Sequence, residues 1–153
     1  IDRSPEMLRV ARGKLTASGT EGWDLRQGDI MALPLEDALG DTVVLHQVLH
    51  YLPAPEAAIV ELARIIAPGG RLLIVDFAPH ELEFLREKHA HRRLGFAHDE
   101  IASLLQECGL DVEEKRDLAP FTKNDGQLTV SIWVGRDRRV VTDLIPRGNR
   151  EVA

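Results

Sequence analysis

The sequence is poor in cysteine, and it contains no long hydrophobic run. Cys108 is the one cysteine among 153 residues, which excludes an internal disulfide and a zinc site built on cysteine pairs. A lone thiol is typical of reducing compartments, so a cytoplasmic location is expected. No segment approaches the roughly 18–20 consecutive apolar residues that span a bilayer, so no membrane partner is expected.

The sequence also has no excess of positive charge. It contains 19 Lys and Arg against 25 Asp and Glu, for a formal net charge of −6. Binding to a phosphate backbone needs clustered cations, so this domain is not expected to contact nucleic acid itself. The first residue is Ile1 rather than Met, which we interpret as the start of a fragment. Length and an apolar content of 44% predict one domain over residues 1–136 and a charged tail over 137–153.

Strands and helices alternate in the predicted order of elements. Ser4-Pro5-Glu6 combines a hydroxyl N-cap, a proline and an acid, which predicts a helix start. The run at residues 42–45 is rich in β-branched side chains and predicts a strand buried on both faces. Pro68-Gly69-Gly70 predicts a tight turn after the second helix. The other expected strands are residues 23–28, 71–77, 111–118 and 127–136, and the other expected helices are 56–67, 80–93 and 99–108.

This order predicts the fold class. Alternation of strands and helices implies parallel crossovers, whereas the last two strands follow one another without a helix. We therefore expect an α/β fold with a Rossmann-like, doubly wound, mostly parallel sheet and an antiparallel final strand.

Asp2 lies directly before the first helix, where nucleotide-binding α/β folds bind a ribose. A carboxylate accepts hydrogen bonds from both ribose hydroxyls. On position alone, a ribose ligand and an ordinary surface acid are equally good interpretations.

Three segments in order resemble class I S-adenosylmethionine-dependent methyltransferases. Residues 1–12 resemble the second-strand motif of that family, and residues 28–34 are similar to its next motif. Residues 61–76, with Pro68-Gly69-Gly70, resemble the stretch before its fifth strand. The resemblance implies S-adenosylmethionine as cofactor, and a first strand and glycine loop missing here, the loop about 20 residues before Asp2.

The same resemblance implies a set of cofactor-binding residues. Asp2 would bind the ribose and Asp29 the adenine amine, with Ile30 and Met31 beside the ring. The remaining expected residues are Arg3 and Met7, which would flank that pocket, and His46 and Gln47, which would line the cleft.

His46 and His50 are the candidate catalytic residues. They are four residues apart, so on a helical turn they would share a face. Either one could act as a general base, since imidazole titrates near neutral pH. Alternatively, both line the cleft and form hydrogen bonds with backbone or cofactor. The sequence holds six histidines, but no metal motif surrounds them and no metal is expected.

A narrower resemblance involves residues 45–50, 75–80 and 89–96. These segments resemble bacterial proteins that join an ArsR-type winged-helix domain to a C-terminal methyltransferase domain. Two interpretations stay open for His80, His91, Arg92 and Arg93, which could form a substrate-side lid or a polar surface helix.

The sequence therefore predicts methyl transfer to a small-molecule acceptor of unknown identity. One alternative is a methyltransferase-like, ligand-sensing domain of a winged-helix transcriptional regulator, and another is a nicotinamide-dependent oxidoreductase. Arsenite is disfavoured as acceptor because a soft metalloid needs several thiolates. A homodimer stays an open option.

Overall fold

The computed structural model describes residues 1–118 and 128–140. Contacts between residues divide the chain into two units, Ile1–Glu36 and the part that begins at Asp37. The two units are described separately below. The start of the last predicted strand, at Gln127, and most of the predicted tail lie outside the described residues.

The first unit consists of helix α1, Pro5–Ala17, and an irregular segment after it. The hydroxyl of Ser4 accepts a hydrogen bond from the backbone N of Met7, and a proline occupies the first turn, so the predicted helix start is confirmed. The predicted strand at residues 23–28 was wrong in extent. Only one parallel bridge forms there, between Asp2 and Gln27, in a segment whose polar side chains bury little apolar surface.

The described part of the second unit contains a mixed four-stranded sheet and three α-helices. The strands are β1 (Gly40–His46), β2 (Ile66–Phe77), β3 (Leu110–Leu118) and β4 (Val130–Asp137), and the helices are α2 (Pro55–Ile65), α3 (Phe84–His89) and α4 (His98–Glu107). The strand order is β1-β2-β4-β3. β1 pairs with β2 in parallel, and both β4 pairings are antiparallel. The predicted Rossmann-like α/β fold and its antiparallel final strand are confirmed. The described sheet is mixed rather than mostly parallel, because one of its pairings is parallel and two are antiparallel.

The core of the second unit lies between this sheet and helices α2 and α4. Four apolar side chains of α2 are buried at the spacing of one helical face: Ala58, Ile59, Leu62 and Ile65. Fully burying an aliphatic side chain of this kind contributes about 1.5–3 kcal/mol. On the sheet, Ile74 is opposite Trp133, and both are completely buried. In β4 the buried positions are Ser131, Trp133, Gly135 and Asp137, and the aliphatic residues between them are only half-buried.

Strand β1 differs from the expectation that residues 42–45 are buried on both faces. Leu45 is buried, but the side chain of Val44 is 56% exposed. The reason is position, because β1 is the edge strand of the described sheet and pairs only with β2.

The Pro68-Gly69-Gly70 turn forms a bulge within β2. Ile66 pairs with Gly40, and pairing then resumes between Arg71 and Thr42. Gly69 has a φ of +76°, and a Cβ on Gly70 would lie 2.8 Å from the carbonyl oxygen of Ala67. Glycine is therefore needed at both positions, as a tight turn requires.

The predicted helix over residues 80–93 was too long, because only Phe84–His89 is helical. It ends at Ala90, whose φ is +55°. Cys108, the last residue of the helix expected over 99–108, is the residue after the end of α4 and is partly exposed. Among the described residues, no helix is long and apolar enough to cross a membrane.

Candidate functional site

Two of the predicted ligand-binding acids, Asp2 and Asp29, lie in the first unit on segments joined by a parallel bridge. The backbone N of Asp2 donates to the carbonyl oxygen of Arg26 over 3.2 Å, and the N of Gly28 donates to the carbonyl oxygen of Asp2 over 3.1 Å. This parallel bridge puts the end of one extended segment beside Asp29. Acids at the ends of adjacent parallel segments are where this fold class binds nucleotides.

Local hydrogen bonds orient both carboxylates. Oδ1 of Asp2 accepts from the backbone N of Ser4 at 2.7 Å, and Oδ1 of Asp29 accepts from the N of Met31 at 3.0 Å. Both residues are exposed. Each acid therefore has a second oxygen to offer to hydroxyl or amine donors, which fits the ribose and adenine of S-adenosylmethionine.

The first unit also presents exposed apolar surface that suits an adenine ring. The side chains of Met7 and Met31 are 54% and 37% exposed, whereas Ile30 is half-buried. Arg3 is exposed, and its carbonyl oxygen accepts a hydrogen bond from the side chain of Gln27 at 3.1 Å. All six predicted residues from this part of the chain lie in the first unit, and the bridge between Asp2 and Gln27 joins the two segments that carry them.

His46 and Gln47 belong to the second unit, at the carboxyl end of β1. His46 is the last residue of the strand and is exposed. Gln47 adopts a left-handed conformation with φ of +57°, and its backbone N donates to the carbonyl oxygen of Val75 at 2.8 Å. A non-glycine residue held in this conformation costs about 1–3 kcal/mol and is frequent at functional sites.

His50 lies in a short 3-10 helix, Leu49–Tyr51, and is buried with 1% exposure. Its Nδ1 lies 2.8 Å from Oδ1 of Asp76, which is completely buried near the end of β2. The expectation that His46 and His50 share one helical face was wrong. The chain is extended through His46 and reverses at Gln47, so one imidazole is exposed and the other is inside the fold.

Two further histidines surround His50. The ring of His91 lies 4.2 Å from that of His50, centre to centre, and His91 is 7% exposed. Burial, and then the nearby His50, lower the pKa of both His80 and His91. The polar surface helix predicted for this region is therefore wrong for His91, which packs inward. Arg92 is exposed and Arg93 half-buried, and the lid interpretation stays a prediction.

Asp76 was not predicted as a site residue. An acid in the otherwise apolar run 72–77 is the signal that could have indicated it, since an acid is seldom fully buried unless it is paired. Among the described residues, no group of three or more His, Cys, Asp or Glu side chains is arranged to hold a metal ion.

Several known proteins that this chain resembles are named as methyltransferases. Residues 1–74 match the family described as a methyltransferase domain. A demethylmenaquinone methyltransferase of Thermus thermophilus is 40% identical over 78 residues, which is 51% of this chain and 35% of that protein. An arsenite methyltransferase of Halobacterium salinarum is 25% identical over 139 residues, covering 87% of this chain and 34% of that protein.

The fold agrees with solved methyltransferase structures. One from Bacillus halodurans superimposes with a TM-score of 0.75 at 19% identity, covering 91% of this chain and 81% of that chain. The chain spans about a third of the length of the curated relatives it matches. The winged-helix resemblance is not tested by these matches and stays a prediction. The match over residues 1–74 and the likeness in fold both relate this chain to S-adenosylmethionine-dependent methyltransferases.

Proposed function

We propose that this protein transfers a methyl group from S-adenosylmethionine to a small-molecule acceptor. The observation that carries the proposal is the pair of exposed carboxylates, Asp2 and Asp29, at the ends of adjacent extended segments. Relatives named for menaquinone and rifamycin precursors support an acceptor of small size. Holding the methyl donor and the acceptor in line supplies much of the rate of such a reaction.

Each residue has a defined role in this proposal. Asp2 accepts hydrogen bonds from the ribose hydroxyls, and Asp29 accepts one from the adenine amine. Arg3, Met7, Ile30 and Met31 flank the adenosine part. His46 and Gln47 are the remaining residues to which the proposal assigns cofactor binding. S-adenosylmethionine, when bound, supplies an activated methyl group.

Calorimetric titration of S-adenosylmethionine and S-adenosylhomocysteine into the full-length protein tests the cofactor site. Asp2→Asn keeps an oxygen that can accept from Ser4 and therefore preserves the start of α1. It removes the charge, and hydrogen bonds to a charged group contribute about 1.5–3 kcal/mol, so binding should weaken about 10- to 150-fold. Asp29→Asn should weaken binding in the same way.

Asp24→Asn is the matched control. Asp24 is an exposed acid of the same unit, and it pairs with Arg26 at 2.6 Å. Its substitution should leave the dissociation constant within about twofold, well below a tenfold change. Wild-type affinity in the Asp2→Asn protein would contradict the proposed site. Binding of NADH in place of S-adenosylmethionine would favour an oxidoreductase instead.

A further inference from the structure

A buried carboxylate holds one imidazole in a single orientation at the carboxyl ends of β1 and β2. Oδ1 of Asp76 lies 2.8 Å from Nδ1 of His50 and accepts from the backbone N of Phe77 at 2.8 Å. Oδ2 accepts from the backbone N of His50 at 3.4 Å. An ionised carboxylate only accepts hydrogen bonds, so Nδ1 of His50 carries a hydrogen. In the neutral ring, Nε2 is then the basic nitrogen.

That nitrogen is buried and has no hydrogen-bond partner among the described residues. An unsatisfied buried polar atom costs about 1–3 kcal/mol, so a fold that keeps one calls for an explanation. Nε2 of His80 and Nδ1 of His91 are also buried and without a partner in this part of the chain. These three histidines interact with one another. In His80, Nδ1 accepts from the backbone N of Leu82 at 3.3 Å, so Nε2 carries the hydrogen and needs an acceptor. In His50, by contrast, the unpaired Nε2 is the nitrogen that can accept a proton.

We propose that His50 is the base of the reaction and that the methyl acceptor is a small molecule with a proton on its nucleophilic atom, such as a phenol or an alcohol. This rests on the proposed methyl transfer. The acceptor O–H bond breaks, its proton moves to Nε2 of His50, and the oxygen forms the new bond to the methyl carbon. The electrons of the broken carbon–sulfur bond remain on sulfur. Asp76 is a positioning residue that fixes the tautomer and stabilises the imidazolium.

In the proposed reaction the ring of His91 has to move aside, because it packs against the ring of His50 at 4.2 Å and both are buried. The segment that carries it begins at Ala90 and reaches Gly95, both with positive φ. It is attached to the site by two hydrogen bonds, from the backbone N of Arg92 and of Arg93 to the carbonyl oxygen of His50. Displacement of the His91 ring makes room for the acceptor hydroxyl beside Nε2.

Nuclear magnetic resonance of the full-length protein, labelled with ¹⁵N in histidine, tests the tautomer. We expect the neutral ring of His50 to carry its hydrogen on Nδ1, with Nε2 unprotonated. Asp76→Asn should abolish the preference for a hydrogen on Nδ1, and Asp76→Glu should restore part of it. If Asp76 had only a structural role, the tautomer of His50 would not have to follow the charge at position 76. A hydrogen on Nε2 in the wild-type protein would overturn the proposal.

Chemical modification tests access to the nitrogen. Diethyl pyrocarbonate modifies unprotonated imidazoles, and mass spectrometry locates the product. We expect slow modification of His50 that becomes at least about tenfold faster in His91→Ala, a difference of about 1.4 kcal/mol in barrier. Absence of modification at His50 in both proteins, after the exposed His89 has reacted completely, would overturn the proposal.

Methyl transfer to two probes tests the acceptor class. Catechol has to lose a proton, whereas thiophenol is already largely ionised at pH 8. A positioned general base raises a reaction rate by about 10²- to 10⁴-fold. His50→Gln should therefore slow methyl transfer to catechol by that factor and change the rate of transfer to thiophenol by less than about threefold. His89→Gln is the matched control. Transfer to thiophenol alone in the wild-type protein, or equal rates in His50→Gln, would overturn the proposal. Calorimetry distinguishes loss of the base from loss of the cofactor site, because the His50→Gln protein should bind S-adenosylmethionine with wild-type affinity.

Discussion

Gly95→Ala should destabilise the second unit strongly, because the new Cβ meets backbone. The Cβ would lie 2.1 Å from the carbonyl oxygen of Ala78 and 2.9 Å from that of Phe77. Gly95 also has a φ of +84°, a conformation that costs an alanine roughly 1–2 kcal/mol. Overpacking adds typically 1–3 kcal/mol. The expected loss in the free energy of unfolding is therefore about 2–5 kcal/mol.

Gly109→Ala is the control for the conformational part of this loss. Gly109 has a similar φ of +80°, but a Cβ there would have no atom within 4 Å. The free energy of unfolding of the Gly109→Ala protein should fall by only about 1–2 kcal/mol. Urea unfolding of the full-length protein, followed by the fluorescence of the buried Trp133 in a Trp23→Phe background, measures both variants. Equal losses for the two glycines would refute the argument from backbone contact.

Three further predictions concern the second unit. Trp133 is completely buried, and its Nε1 is unpaired among the described residues. Trp133→Ala should therefore lower the free energy of unfolding, measured in urea, by about 3–5 kcal/mol, and Trp133→Phe should lower it by less than half of that. Burial raises the pKa of Asp137, but hydrogen bonds from Arg139 outweigh it and the net pKa is lowered. The stabilisation is therefore present above the ordinary pKa of about 3.9 and is lost as pH falls through the folded value. Asp137→Asn should accordingly flatten the acid limb of a plot of urea midpoint against pH, and an unchanged limb would contradict the pairing. Burial, and then Glu107, raise the pKa of the Cys108 thiol, so it should react with Ellman's reagent more slowly at pH 8 than in urea; equal rates would count against this.

The order and direction of the main strands could be predicted from local sequence. Periodicity and the Pro68-Gly69-Gly70 signal depend on neighbouring residues, and the antiparallel final strand was expected because no helical pattern separates the last two predicted strands. The burial of β1 could not be predicted in this way. A β-branched run indicates a strand, but whether Val44 is covered depends on which strands lie on both sides.

The candidate site was predictable only in part. Asp2 and Asp29 follow recognisable local patterns, and the parallel bridge brings their segments together as expected. The pairing of His50 with Asp76 joins residues 26 positions apart, and it depends on the left-handed turn at Gln47, for which the sequence carries no glycine signal. The spacing of His46 and His50 was therefore misleading, because a helical face was assumed where the chain reverses.

The antiparallel pairing of β2 with β4 has a consequence for synthesis on the ribosome. Phe77, the last residue of β2, pairs with Val130, so about 50 further residues have to be made before this edge is covered. At roughly 5–20 residues per second, that edge stays open for about 3–10 s. The exposed segment is Leu72-Leu73-Ile74-Val75, an apolar, β-branched sequence of the kind that associates with other chains. Nascent chains should therefore depend on chaperones during this interval, and slower translation should increase aggregation.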